Sequence, residues 1–304
     1  IYCWLVVFNF SYFWRCIFIS NVVFKQNRGK RRIIMILILG KSGYIGKAFV
    51  EEAKRRNIEY NALSRSEVDY TNYEELNSFF LKIGACKYDV VINCAGFIGK
   101  PNVDACETRK AETIAGNVVF PVMLSNLCAR FGAIYCHISS GCIYNGYDKE
   151  YTEEDPPNFC FKTNNGSFYS GTKALAEELI NRDKTYVCRL RIPFDHINSP
   201  RNYLSKLLNY DKLLDMKNSV SHRYDFVNAC YDLIKKKAPY GIYNIVNSGF
   251  VSTAQVVQIM HRYLNINKNF DFFESEQQFY EIGASAPRSN CILDNSKLLS
   301  TGVN

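Results

Sequence analysis

The stretch Met35-Ile-Leu-Ile-Leu39 is apolar at every position and runs directly into Gly40, Gly43 and Gly46. An unbroken apolar run this short, without the alternation of a half-exposed strand, marks a strand buried on both faces, as parallel strands are. Residues 47–57 then carry a helical pattern. Strand, glycine turn and helix in that order admit few folds, because the helix has to cross back over the sheet before the next parallel strand can form.

The alternation continues. Strands are expected at 59–63, 89–93 and 133–139, and helices at 73–83 and 117–131. Residues 151–166, with Asp155, Pro156, Pro157 and Asn158, read as a loop. A helix at 169–181 and a strand at 187–192 follow, and beyond Pro193 the segments are shorter and more polar. The class is therefore α/β: a Rossmann-type, doubly wound parallel sheet with a smaller C-terminal substrate-binding lobe. Residues 35–192 are expected to form the Rossmann domain. Residues 193–304 are expected to form mainly the substrate lobe, interleaved with the core and cut short at Asn304 after a weak helical start.

Residues 1–34 are set apart. They hold six cations (Arg15, Lys25, Arg28, Lys30, Arg31 and Arg32) and no acid, behind an apolar, aromatic run from Ile1 to Phe24. The run is nearly long enough for a signal anchor, and no small-residue cleavage site favours a signal peptide. Met35 stands immediately before the first strand, which favours reading the extension as upstream sequence translated by mistake. Membrane contact is expected only if it is a genuine anchor. With those six charges removed from the net +8, the rest of the chain carries about +2, which is no nucleic-acid footprint. The 12 cysteines include no CxxC pair and no zinc spacing, and fit reduced thiols in a cytoplasmic protein.

The glycine spacing between a strand and a helix suits a dinucleotide pyrophosphate lying on a helix N-terminus. A plain turn is the competing reading, and the flanking strand and helix weigh against it. The cofactor set is Gly40, Lys41, Gly43, Tyr44, Ile45 and Gly46, with Asn93, Ala95 and Gly96 after the third strand. At the end of the second strand, Leu63-Ser64-Arg65-Ser66 offers Arg65 to a 2′-phosphate with no acid in competition, so NADPH is expected over NADH. Arg65 as a merely solvated residue is the alternative. Asp69 is either an adenine contact or a helix cap.

Tyr169-Ser-Gly-Thr-Lys173 places a phenol and an ammonium one helical turn apart, where the cation is expected to lower the phenol pKa for proton transfer. Ser140, at the end of the preceding strand, supplies a hydroxyl for a substrate carbonyl. YxxxK alone is common by chance; its position after a dinucleotide loop gives it weight. Together Ser140, Tyr169 and Lys173 resemble the triad of the short-chain dehydrogenase/reductase superfamily, and Tyr169 and Lys173 also join the cofactor set.

Longer runs sharpen the resemblance: Asn93 to Asp104, Gly166 to Lys173, Ser199-Pro-Arg-Asn202 and Ala286-Pro-Arg-Ser-Asn290. They resemble the bifunctional UDP-4-keto-6-deoxy-glucose 3,5-epimerase/4-reductases of UDP-rhamnose synthesis, and more distantly dTDP-4-dehydrorhamnose reductase and GDP-fucose synthase. The resemblance covers about residues 35–298. It implies a nucleotide-sugar substrate, NADPH, and two further catalytic residues, Cys142 and Lys206. Asn102, Arg201, Asn202 and Arg288 lie in the matching motifs as substrate ligands, with Arg288 preferred for the diphosphate and Arg201 the alternative. A homodimer through two long helices is a superfamily expectation. Without the resemblance, Cys142 reads as a small buried hydrophobe and Lys206 as an exposed lysine. Two other functions compete: a 4-reductase without epimerase activity, which needs neither Cys142 nor Lys206, and a non-catalytic nucleotide-binding regulatory subunit, which needs no triad.

Overall fold

The computed structural model describes residues 34–83 and 87–303. Apart from Ile34, the N-terminal extension lies outside them. The chain alternates β1 (Met35–Leu39), α1 (Tyr44–Arg55), β2 (Glu59–Leu63), α2 (Tyr73–Ile83), β3 (Val90–Asn93), α3 (Phe120–Phe131), β4 (Ile134–Ser140), α4 (Phe168–Leu179), β5 (Thr185–Leu190), α5 (Tyr203–Asn209), α6 (Arg223–Lys236) and β6 (Gly241–Asn244). The six strands form one sheet in the order β2-β1-β3-β4-β5-β6, and every pair is parallel. The strand order turns back between β1 and β3. In open α/β sheets that reversal leaves a crevice at the carboxyl ends of the strands.

The unbroken apolarity of β1 has a direct structural cause. Ile36 and Ile38 pack on one face with Phe49 and Ala53 of α1 and Phe226, Val227 and Leu233 of α6. Leu37 and Leu39 pack on the other face with Leu76 and Phe80 of α2 and Leu124 and Leu127 of α3. Each such side chain contributes roughly 1.5–3 kcal/mol by leaving water. The cysteines are less scattered than their sequence positions: Cys136, Cys188 and Cys230 converge in the first layer, with Cys136 and Cys188 Sγ atoms 3.7 Å apart. All nine cysteines among the described residues are free thiols.

Two elements differ from expectation. Helix α1 starts at Tyr44, not residue 47, so Gly46 lies inside its first turn. A Cβ there would fall 2.1 Å from the Gly40 carbonyl oxygen, so the third glycine lets the helix start against the loop. Strand β6 pairs with β5 at the sheet edge, although Gly-Ile-Tyr-Asn is too short and too polar at its ends to stand out. Beyond the sheet, Leu207, Leu213, Val256, Val257 and Met260 form a separate small core.

Candidate active site

A cavity of about 660 Å³ opens where the chain leaves β1, β3, β4 and β5. Gly43, Tyr44 and Ile45 line one end, followed by Cys94, Ala95 and Gly96. Helix α1 has no side-chain cap at Gly43 and no acid in its first turn, leaving its N-terminus open to an anion. Gly40 has φ +86°, and a Cβ on it would meet the Ala95 amide nitrogen at 2.9 Å. A Cβ on Gly96 would lie 3.1 Å from Asn117 Oδ1. Bare backbone at these positions is what a dinucleotide pyrophosphate requires, so the residues present fit that group.

Ser140, Cys142, Tyr169, Lys173 and Lys206 all line the same cavity. Ser140 ends β4, and its Oγ accepts the Cys142 amide N–H at 3.3 Å, fixing the turn that presents the thiol. Ser167 caps α4 by accepting from the Ser170 amide, which places Tyr169 and Lys173 in the first two turns. Lys173 is buried, its Nζ donates to the Ile138 carbonyl at 3.2 Å, and burial lowers its pKa. The Tyr169 pKa is raised, not lowered as the YxxxK spacing suggested. Burial dominates, Cys142 and Cys106 add to it, and the Ser140 hydroxyl offsets only part. The phenol is therefore held in its protonated form.

Burial also raises the Cys142 thiol, against the opposing influence of Ser140, Arg191, Ser170 and Lys173. The Lys206 ammonium is lowered by burial and by the positive charges of Arg201 and Arg288. Among the described residues, the cavity lining holds six basic side chains (Lys173, Arg191, Arg201, Lys206, Lys212 and Arg288) and no carboxylate. Such a field selects a polyanion.

Residues 34–303 match the family described as RmlD substrate binding domain. The chain is 34% identical over 272 residues to the bifunctional dTDP-4-dehydrorhamnose 3,5-epimerase/dTDP-4-dehydrorhamnose reductase of Arabidopsis thaliana, covering 86% of this chain and 85% of that protein. The chain belongs to the RmlD substrate-binding-domain family. It is also 34% identical over 274 residues to an Arabidopsis trifunctional UDP-glucose 4,6-dehydratase/UDP-4-keto-6-deoxy-D-glucose 3,5-epimerase/UDP-4-keto-L-rhamnose-reductase, covering 87% of this chain but only 39% of that protein. The chain thus spans about two fifths of the trifunctional plant relatives.

Among solved structures, the UDP-rhamnose synthase of Acanthamoeba polyphaga mimivirus shares the RmlD-like fold at TM-score 0.79 and 24% identity, covering 88% of this chain and 93% of its own. A dTDP-4-dehydrorhamnose reductase of Bacillus anthracis, solved in complex with NADP, matches at TM-score 0.74 and 20% identity, covering 90% and 94%.

Within this RmlD-family frame, several expected site residues do other work. Asn93 is fully buried and does not line the cavity; it accepts the Ala95 amide at 3.0 Å and donates to the Tyr135 hydroxyl at 3.1 Å, so it shapes the loop. Asn202 is buried and spent: it caps α5 by accepting the Leu204 amide and donates to the carbonyls of Asp195 and Ile197. That corrects its reading as a substrate ligand. Arg288 reaches the cavity but forms a two-pronged pair with Asp104, at 2.7 and 2.8 Å. Arg201 gives one bond, to the Gly99 carbonyl at 2.6 Å, which reverses the expected order of the two arginines for the diphosphate. Asn102 lines the cavity while its Oδ1 accepts the Asp104 amide. Asp69 accepts from Thr71, and Asn72 is the residue whose side chain receives the first amides of α2.

At the end of β2 an acid does compete. Glu67 pairs with Lys41 at 2.6 Å and accepts both the Ser64 amide and hydroxyl, while Arg65 stands exposed.

Two residues were missed. Asn117 lies in a π-turn (Ala115–Val119), exchanges two hydrogen bonds of 2.7 Å with the Phe97 backbone, and reaches Thr172 at 3.3 Å. It ties the loop after β3 to the helix carrying Tyr169 and Lys173. An asparagine at the start of an apolar helical run was the signal available. Arg191 is buried at the end of β5, its Nη2 donates to the Ser289 carbonyl, and its Nε has no partner among the described residues.

Proposed function

We propose that this chain is an NADPH-dependent reductase of a 4-keto-6-deoxy nucleotide sugar that first inverts C3 and C5, converting UDP-4-keto-6-deoxy-glucose to UDP-rhamnose. The observation that carries this reading is one cavity, cationic and without a carboxylate, lined by both the Ser140–Tyr169–Lys173 set and the Cys142–Lys206 pair.

The diphosphate is held by Arg201, with Arg288 behind it, and the sugar lies toward Ser140 and Tyr169. A C4 ketone acidifies the C–H bonds at C3 and C5. Lys206, with its lowered pKa, takes a proton as the base, and Cys142, kept as a thiol, returns one to the opposite face. Exchange with solvent resets both groups between inversions. Ser140 donates to the enolate oxygen and later to the ketone. The glycine loop, with Cys94 to Gly96, would hold NADPH, which when bound would supply the hydride for C4. Tyr169 gives its proton to O4, and Lys173 fixes the local field. Inversion has to come first, since reduction removes the ketone that makes the C–H bonds acidic.

The test is to supply UDP-4-keto-6-deoxy-glucose and NADPH and to identify the product by NMR. UDP-rhamnose is expected. An unepimerised 6-deoxy sugar would reduce the function to 4-reduction. No turnover with NADPH bound would favour a regulatory subunit.

A further inference from the structure

The corner where the glycine loop meets the end of β2 carries more chemistry than a 2′-phosphate site requires. The loop is stitched to that strand end: the Gly40 and Lys41 amides both donate to the Leu63 carbonyl, at 2.9 and 3.2 Å. The chain then turns over Ser64-Arg65-Ser66-Glu67, with the Glu67 amide donating to the Ser64 carbonyl at 3.1 Å. This turn folds the Glu67 carboxylate back onto the corner. One oxygen takes Lys41 Nζ at 2.6 Å; the other takes the Ser64 amide at 2.8 Å and the Ser64 hydroxyl at 2.7 Å. Ser66 Oγ lies 2.9 Å from Ser64 Oγ.

We infer that Glu67 is the specificity-determining residue for the dinucleotide, holding Lys41 away from a 2′-phosphate and presenting an acceptor to a ribose 2′-hydroxyl. This rests on the dinucleotide reading of the glycine loop given above. In such folds a carboxylate at the end of the second strand receives the ribose hydroxyls of NADH, whereas a cation there receives the phosphate of NADPH. Here both are present, and the carboxylate neutralises one of the two cations. Binding NADPH requires Lys41 to leave Glu67 for the phosphate, with Arg65 joining it. Binding NADH leaves the Lys41–Glu67 pair intact.

Hydrogen bonds from Lys41 and Ser64 hold Glu67 down to a pKa of about 2, so it stays ionised throughout the working pH range and repels the phosphate there. The pair is also half exposed, at 36% and 45%, so it opens without unfolding anything. Discrimination between the two dinucleotides is therefore shallow in the unaltered chain, because the ionised carboxylate offsets one of the two cations.

The test is a fluorescence titration of the full chain with NADPH and with NADH, giving two dissociation constants for each of wild type, Glu67→Gln and Lys41→Met. The glutamine keeps the bonds from Ser64 and removes the charge. In Glu67→Gln the NADPH constant is expected to fall by about tenfold, a 1.4 kcal/mol gain, while the NADH constant holds or rises. In Lys41→Met the NADPH constant is expected to rise several-fold with NADH little changed. A ratio of the two constants that stays within twofold of wild type in Glu67→Gln overturns the inference while leaving the dinucleotide site standing. Failure of wild type to bind either dinucleotide sinks the site and the inference together. Thermal melts of the variants separate loss of binding from loss of fold; Glu67 is exposed, and both variants are expected to melt with wild type.

Discussion

The two ends of the cavity are built in different ways. At the dinucleotide end, the lining comes from two short stretches that follow β1 and β3, Gly43 to Ile45 and Cys94 to Gly96, and much of its chemistry is bare backbone. At the sugar end, Cys142, Tyr169, Arg201, Lys206 and Arg288 come from four separate segments, Arg201 and Lys206 sharing the start of α5. The first end depends on local conformation. The second depends on the whole fold bringing the segments together, so each of its side chains is tuned by neighbours distant in sequence. Lys206 is lowered by two arginines, one of them 82 positions away, and Cys142 feels Arg191 from the far end of β5.

The largest effect that can break this division is expected at Tyr169. Tyr169→Phe removes the only proton assigned to O4 and leaves the glycine cradle untouched. Reduction of the 4-keto sugar should drop by about 10²–10⁴, with the NADPH dissociation constant changed little. If the variant lost NADPH binding to the same degree as activity, the two ends would be one unit and the comparison would fail.

The proton-exchange pair sharpens it next. Mixed in D2O with the keto sugar and no NADPH, the protein is expected to wash deuterium into C3 and C5. Cys142→Ala should abolish inversion at C3 and C5, leaving only the same-face exchange that Lys206 carries alone, while reduction of an already inverted sugar stays within a few-fold. The pH dependence has a definite sign. Lys206 must be deprotonated to act as base, so exchange rises as pH rises through its lowered pKa. Cys142 must be protonated to act as acid, so inversion, followed as the inverted sugar formed, falls as pH rises through its raised pKa. The result is a bell. An exchange rate that falls monotonically from acid to alkaline pH would contradict the assigned roles.

How far the sequence could be read follows the same line. The strand-glycine-helix opening and the order of βαβ units were legible because they are periodicities and turn chemistry within a dozen residues. Strand β6 was not, because four residues at a sheet edge carry too little pattern. The triad members were identifiable by spacing, but the direction of the Tyr169 shift was not: YxxxK announces the cation one turn away and says nothing about the burial that outweighs it. Glu67 shows the same limit. Two positions beyond Arg65, it reaches the corner only because the chain turns back through Ser64, and that turn is invisible to a rule about the strand's last residue. Arg288 likewise looked free until the fold brought Asp104 against it, 184 positions away.

Arg201 and Asn202 give the finest test, since they are adjacent in one motif and differ only in what the fold leaves them to do. Arg201 keeps most of its guanidinium donors for the cavity, beyond one bond to the Gly99 carbonyl. Asn202 is buried, with its oxygen on the Leu204 amide and its nitrogen on the Asp195 and Ile197 carbonyls. Arg201→Met is expected to raise KM for the nucleotide sugar by about tenfold, the effect of roughly 1.4 kcal/mol of lost binding, with the melting temperature nearly unchanged. Asn202→Ala is expected to leave KM within about twofold and to lower stability by about 1–2 kcal/mol through the lost cap, a drop in melting temperature of a few degrees. Asn202→Asp restores the cap oxygen but sets its other oxygen against the Asp195 carboxylate and two carbonyls, so it should be no more stable than the alanine variant and, like it, leave KM nearly unchanged. A KM that followed Asn202 and not Arg201 would mean that the segment before α5 turns over on binding, and that the sugar end of the cavity is assembled by its substrate rather than by the fold.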